Sequence, residues 1–172
     1  PIDPTVSVSM GDGYPFRRGT GRLHTGIDIP ANIGINLIAS RDGTVSLKEQ
    51  GCNYSSAEEK AIHCKGGYGG WGKYIVLTFD ETDPDTYASK ALYAHCDSFE
   101  VADGATVKAG DIIGTVGETG NTTGPHLHYE IGTEKFLTSE YPSSGDREAR
   151  ITDRYGSPQR HFLLNPELFV SY

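Results

Sequence analysis

The stretch 121–131, NTTGPHLHYEI, joins a turn signal to a strand pattern and carries two of the six histidines in the chain. The Gly-Pro step favours a turn, and polar and apolar residues then alternate. Side chains two apart in a strand point to the same face. We therefore predict a strand over 126–131 with a polar face of His126, His128 and Glu130. The opposite face is apolar enough for a core and consists of Leu127, Tyr129 and Ile131.

Short segments of this kind, separated by turns, recur along the 172 residues, of which 22 are glycine and 9 proline. KYIVLTFD (73–80) and ALYAHCDSFE (91–100) are predicted to be further strands. HFLLNPELFV (161–170) is expected to form a short helix or a coil packed on the domain. This length fits one domain that buries roughly two-thirds of its unfolded surface. The sequence thus predicts a single all-β domain over 1–172, with few or no long helices.

The formal net charge of −8 argues against attraction of the whole chain to nucleic acid or to an anionic membrane surface. No apolar run approaches the ~20 residues of a membrane span. The opening PIDPTVSVSM has neither an initiator methionine nor a signal-peptide pattern. We therefore expect the domain to have been excised from a longer protein, or to be a mature form.

A second polar pattern occurs in HTGIDI (24–29), where His24, Gly26 and Asp28 share one face of an extended segment. The glycine leaves space between an imidazole and a carboxylate. Nitrogen and oxygen ligands from two strands suit a catalytic zinc, which takes three protein ligands and keeps an open position. A single histidine on a strand is usually a surface residue. The co-occurrence of both patterns, with a third histidine segment between them, favours a metal site.

That third segment is LYAHCD (92–97). On a continuous strand His95 shares a face with Tyr93, while Leu92 and Ala94 point the other way. Cys96 then points away from His95, so a nucleophilic Cys-His pair is disfavoured.

The three cysteines are Cys52, Cys64 and Cys96, and an odd number is not typical of a disulfide framework. Cys52 and Cys64 bracket a polar stretch that is expected to be a surface loop. A bridge between them would close its base and imply an oxidising compartment. Two free thiols, or a second metal site with His63, are the alternatives, although the latter has no evident fourth ligand nearby.

Three separated motifs resemble the signatures of the lysostaphin-type (LytM-type) zinc metallopeptidases, in that family's order: HTGIDI (24–29), LYAH (92–95) and GETGNTTGPHLHYEI (117–131). The glycine-rich VKAGDIIGTVGETG (107–120) and the closing NPELF (165–169) also fit. The resemblance implies a lysostaphin-like antiparallel β domain (the duplicated hybrid motif) with a central groove across the sheet and zinc at its floor.

The resemblance also implies roles for five residues. His24, Asp28 and His128 would ligate Zn²⁺, and His95 and His126 would orient or deprotonate water and stabilise the oxyanion. The activity implied is a peptidoglycan endopeptidase that hydrolyses stem or crosslink peptides, as in bacteriolytic lysins and cell wall degradation. The expected location is extracellular, periplasmic or in the cell wall, within a bacterial wall-remodelling protein or a phage assembly.

Two other functions are compatible with parts of the sequence. A non-catalytic metal-binding module of the same fold, which would bind cell wall or activate a partner, does not require all five polar positions. A lipoyl- or biotinyl-type carrier would explain VADGATVKAGDIIG (101–114), but Lys108 lacks the flanking pattern and HLH stays unexplained. The long loop at 50–70 and the extended segment 132–160 depart from the family pattern and bear on substrate preference.

Overall fold

The computed structural model describes residues 1–5, 7, 24, 26–49, 70–82, 88–133 and 162–164. Within these residues the secondary structure is entirely strand and turn. The strands are β1 (Ile27–Pro30), β2 (Asn36–Ile38), β3 (Gly43–Glu49), β4 (Lys73–Phe79), β5 (Ala88–Ala94), β6 (Cys96–Phe99), β7 (Thr106–Val107), β8 (Ile112–Val116), β9 (His126–Thr133) and β10 (Phe162–Leu164). The all-β prediction is confirmed, including the strand that begins at His126. The described part of the chain has no helix that could cross a membrane.

The described strands form two antiparallel sheets. The larger sheet has seven strands in the order β1-β9-β5-β4-β3-β7, with β10 also paired to β9. The smaller sheet has the order β2-β8-β6. Strand β9 lies between β5 on one edge and β1, then β10, on the other. The segment that carries the two HLH histidines is therefore held on both sides by backbone hydrogen bonds.

The main core contains apolar side chains from both sheets. Leu127, Tyr129 and Ile131 of β9 are each at most 1% exposed and belong to it, as the alternation predicts. Leu37 and Ile113 contribute from the smaller sheet. Burial of apolar surface on this scale is the main source of stability. It fixes the register of β9, because a slip by one residue would place polar side chains in the core.

The opposite face of the larger sheet has a second, smaller apolar cluster of Trp71, Tyr74, Val76, Leu92 and Ala94. Within the sheet, Ala94 is directly opposite His128, and Leu92 is opposite Glu130. The polar residues of β9 therefore lie beside this cluster. They are built into the sheet on the face away from the main core.

The prediction of one strand over 91–100 is wrong at His95. Strand β5 ends at Ala94, and β6 begins at Cys96 in the other sheet. His95 between them has a φ of 65°, in the left-handed region that non-glycine residues seldom adopt. Strand alternation does not extend through such a residue. Tyr93 consequently faces the core, whereas the His95 ring packs against His126 at a centroid distance of 4.7 Å.

The expectation of a helix or coil over 161–170 is also wrong for the part that is described. Phe162–Leu164 pairs with β9 from Ile131 to Thr133, beyond Tyr129, where the pairing with β1 stops. The pairing edge that β1 leaves open explains this strand better than any local propensity. The NPELF motif lies outside the described residues.

Candidate metal centre

Strands β1 and β9 bring two of the predicted ligands together. Asp28 and His128 are direct partners in the antiparallel register, so their side chains emerge on the same face. His24 lies just before β1 and reaches the same point. All three side chains are buried, with exposed fractions of 2% for His24, 7% for Asp28 and 4% for His128.

The potential ligand atoms of these three residues converge. His128 Nδ1 is 2.8 Å from Asp28 Oδ1, and His24 Nε2 is 3.1 Å from the same oxygen. The two imidazole nitrogens are 3.2 Å apart. Among the described residues this is the one group of three or more His, Cys, Asp or Glu side chains that could hold a metal ion. These three residues are the ones that the family resemblance implies as ligands.

The electrostatics of the cluster favour an anionic carboxylate. Burial by itself would raise the pKa of Asp28, but hydrogen bonds from His128 and His24 outweigh it and hold that pKa far below its ordinary value. Burial likewise lowers the pKa of His128, yet hydrogen bonds to Asp28 and Glu130 raise it overall. Asp28 is thus ionised near pH 7, as a carboxylate ligand of a metal ion must be.

Gly26 makes the close approach of β1 to β9 possible. A Cβ at this position would lie 2.3 Å from the Tyr129 carbonyl oxygen and 3.0 Å from His128 Nε2. No side chain fits there. The space that Gly26 leaves is occupied by the β9 backbone and its His128 and Glu130 side chains, so the prediction of an open volume there is wrong.

Glu130 is a site residue whose role was not predicted from the sequence. Its Oε1 is 2.9 Å from His128 Nε2, and the residue is completely buried. A carboxylate on the far nitrogen of an imidazole fixes the tautomer and orientation of a metal ligand. The available signal was its position two residues beyond His128, on the same face of the strand.

His95 and His126 lie beside the three-residue cluster. His126 Nδ1 is 2.8 Å from the Gly124 carbonyl oxygen, and His95 Nδ1 is 2.7 Å from the Thr119 carbonyl oxygen. A carbonyl only accepts, so each Nδ1 carries the proton and donates it. In a neutral ring, Nε2 is then left with a lone pair. His126 Nε2 is 3.5 Å from Asp28 Oδ1, so this nitrogen faces the cluster.

Burial, with the nearby His126 and His128 as further causes, lowers the pKa of His95 to about 3. The ring is therefore neutral near pH 7. This agrees with the tautomer required by its hydrogen bond to Thr119, and it leaves Nε2 without a proton.

Cys96 takes no part in this site. It is completely buried in the main core, and burial raises the pKa of its thiol to about 12. A Cys-His nucleophilic pair with His95 is thereby excluded, as expected. Cys52, Cys64 and His63 lie outside the described residues, so the disulfide and its alternatives remain predictions. Lys108 is exposed and forms an ion pair with Asp42 at 2.7 Å.

A buried cluster of nitrogen and oxygen ligands flanked by two further imidazoles is the arrangement expected of a metal-dependent hydrolase. Residues 22–138 match the sequence profile of peptidase family M23, and the chain belongs to this family. It is 37% identical over 133 residues to the DD-carboxypeptidase/endopeptidase Mpg of Neisseria meningitidis serogroup B. The match covers 75% of this chain and 25% of Mpg, so the chain spans about a quarter of that relative's length.

Solved structures agree on the fold. The catalytic domain of lysostaphin from Staphylococcus simulans aligns with a TM-score of 0.55 at 30% identity, covering 77% of this chain and 85% of that domain. A zinc-containing peptidase from Vibrio cholerae aligns with a TM-score of 0.53 at 28% identity, covering 76% of this chain and 35% of that one. The predicted lysostaphin-type family and fold are both confirmed.

Proposed function

We propose that this domain is a zinc-dependent endopeptidase that hydrolyses peptide bonds in the stems or crosslinks of bacterial peptidoglycan. One observation carries the proposal: three buried ligand atoms meet at Asp28, and beside them lie two further imidazoles whose Nδ1 atoms are held by backbone carbonyls. Membership of peptidase family M23 supports a peptidase.

The donor set fits zinc. Two imidazole nitrogens and one carboxylate oxygen are ligands of catalytic zinc sites, which keep a further position open. A tetrahedral ion with bonds of about 2.0–2.1 Å holds its ligand atoms about 3.3 Å apart. The separations of 2.8, 3.1 and 3.2 Å therefore require only small outward shifts of His24, Asp28 and His128. Similarity to a zinc-containing peptidase supports the choice of metal.

When bound, zinc supplies a Lewis acid that polarises a carbonyl and makes water more acidic. The rest of the chemistry is assigned to the two remaining histidines. His126 and His95 each present an Nε2 lone pair, which can accept a proton from water and return it to the departing amine. In their protonated forms they donate to the tetrahedral oxyanion.

The substrate class rests on the motif resemblance to lysostaphin-type peptidases and on the endopeptidase names of the relatives. Peptidoglycan peptides are reached outside the cytoplasm, so the proposed location is extracellular, periplasmic or in the wall. Delivery by a longer parent protein or by a phage assembly stays part of the proposal. Because the chain is acidic, we expect its own attraction to anionic wall polymers to be weak.

The test combines metal analysis with product analysis. The purified domain should contain one zinc and cleave purified peptidoglycan, stop after chelation, and recover when zinc is returned. The products should show new amino groups without new reducing ends, because the cleaved bond is an amide. Asp28→Asn is the matched control, which we expect to fold but to bind zinc poorly.

Two results would contradict the proposal. New reducing ends without amines would indicate a glycosidase, which usually works with two carboxylates. A domain that binds zinc stoichiometrically and leaves every crosslinked peptide intact would favour the non-catalytic module of the same fold.

A further inference from the structure

Thr119 belongs to the GETG segment that precedes HLH, and neither metal binding nor catalysis has so far assigned it a role. Its hydroxyl accepts a hydrogen bond from the Lys73 backbone N–H at 3.0 Å and donates one to the Cys96 carbonyl at 2.8 Å. One side chain thus connects the start of β4 with the residue that follows His95. Its backbone carbonyl accepts the Nδ1 proton of His95 at 2.7 Å.

The connection between these segments is tight. Gly72, with a φ of 60°, and Gly120, with a φ of 80°, pack so closely that a Cβ on Gly72 would lie 2.4 Å from Gly120 N. Beside them, the Asn121 backbone N–H donates to the Gly70 carbonyl at 2.7 Å. The segment around Thr119 is therefore held against the segment before β4 by backbone contacts that no larger residue would allow.

The position of His95 depends on both of these segments, through its backbone and through its ring. Its backbone N–H donates to the Trp71 carbonyl at 3.0 Å, and its ring donates to the Thr119 carbonyl. The left-handed backbone of His95 carries a steric cost that surrounding contacts must offset. The Thr119 hydroxyl bonds to the carbonyl of Cys96, the residue after His95, so it restrains both the backbone beside His95 and the carbonyl that selects the ring tautomer.

We infer that Thr119 is a positioning residue: its hydroxyl holds the carbonyl that keeps the proton of His95 on Nδ1 and Nε2 directed at the metal centre. The inference rests on the proposed function for the role of His95. It concerns orientation, so its effect should appear in turnover and in the tautomer of His95. Metal binding should not change, because the residue contacts none of the three ligands in the structure.

The test compares Thr119→Val with Thr119→Ser in the zinc-loaded protein. Valine keeps the shape and loses the hydroxyl, whereas serine keeps the hydroxyl. For Thr119→Val we expect kcat on soluble crosslinked muropeptides to fall roughly tenfold or more, because misorientation of a catalytic group is costly. KM and zinc content should stay within about twofold of the wild type, and Thr119→Ser should restore most of kcat.

Thr115→Val is the matched control. The Thr115 hydroxyl accepts from the Ser98 N–H at 3.2 Å and lies 2.7 Å from Ser98 Oγ, within the smaller sheet. The same substitution there removes a comparable pair of hydrogen bonds without touching His95. It should lower stability and leave kcat unchanged, which separates positioning from a general loss of stability.

A second readout is the ¹⁵N NMR spectrum of the imidazoles, with the His95 signals assigned by His95→Ala. In the wild type, Nδ1 of His95 should be protonated and Nε2 not, and Thr119→Val should mix or reverse this. A wild-type His95 protonated on Nε2 would overturn the inference even if Thr119→Val did not fold. Unchanged kcat in a folded Thr119→Val would also overturn it. Failure of the zinc-loaded wild type to cleave crosslinked peptides would contradict the proposed function instead, whereas a fully active His95→Ala would overturn the inference alone.

Discussion

The two faces of β9 are both buried and yet chemically opposite. Tyr129 on one face and Glu130 on the other each have no exposed surface. Tyr129 is covered by apolar side chains of the main core, whereas Glu130 contacts the imidazole of His128. Burying a charged group is costly unless it is paired and hydrogen-bonded. The polar face is therefore tolerated because its groups hydrogen-bond to one another, and the same arrangement brings together the residues of the candidate metal centre.

The comparison teaches that burial alone does not separate a core from a site in this protein. What separates them is the kind of contact: non-directional packing on one face, and directional contacts of 2.8–3.2 Å among titratable groups on the other. Substitutions on the apolar face should act on stability, and those on the polar face on metal and turnover. The following experiments test this separation.

The largest expected effect concerns the histidines of the polar face. His126→Ala and His95→Ala should each lower kcat by about 10²–10⁴-fold, the usual contribution of acid-base catalysis, and leave zinc content near one per chain. His128→Ala should remove both zinc and activity. Metal analysis and turnover on the same preparations check this. Loss of zinc in His126→Ala with retention in His128→Ala would reverse the two roles within HLH.

On the apolar face, Leu127→Ala should lower the free energy of unfolding by about 2–5 kcal/mol, because it leaves a cavity in a packed core. Zinc affinity of the folded variant should not change. Ile33→Ala is the control, since Ile33 is 53% exposed and its truncation should cost within about 0.5 kcal/mol. Urea unfolding gives both values. A folded Leu127→Ala protein with weakened zinc binding would show that the faces are not separate.

Glu130→Gln should weaken zinc binding by about 10-fold or more without unfolding the protein, since a neutral amide supports His128 less well than a carboxylate does. Competition with a chelator at fixed pH measures the affinity. The control is Glu100→Gln, because Glu100 is exposed and accepts a hydrogen bond from Ser98 in the smaller sheet. Equal zinc affinities in the two variants would contradict a role for Glu130 in supporting His128.

The smallest expected effect is a pH dependence of stability that arises from Cys96, which follows His95 and lies in the main core. Burial raises the pKa of Cys96 from 9.0 to about 12, so the unfolded state loses this proton first as pH rises. Stability should therefore be unaffected below about pH 8.5 and fall above it, by up to ~1.4 kcal/mol per pH unit. Cys96→Ala should remove the part of this slope below about pH 10; above it, the buried Tyr93 and Tyr129, whose pKa values burial also raises, add a slope of their own. In folded protein at pH 9, alkylation followed by peptide mapping should leave Cys96 unmodified, and in urea it should react.

Much of the site was predictable because its residues follow short-range spacing patterns in the sequence. Alternation over 126–131 placed two histidines on one face, and the spacing of His24, Gly26 and Asp28 placed a second ligand pair. Those predictions need only the two-residue period of a strand. His95 was predicted as a member of the site but with the wrong geometry, because local alternation carries no information about a chain that changes sheets at a left-handed residue.

The sequence by itself determined which side chains of β9 face together and which residue types are available to a metal. Only the tertiary structure decided that Asp28 is opposite His128, that Glu130 supports His128, and that the Thr119 carbonyl holds His95. The reason is physical. Facing and spacing follow from the geometry of a single strand, whereas register, the sheet switch at His95 and carbonyl contacts depend on residues far apart in the chain.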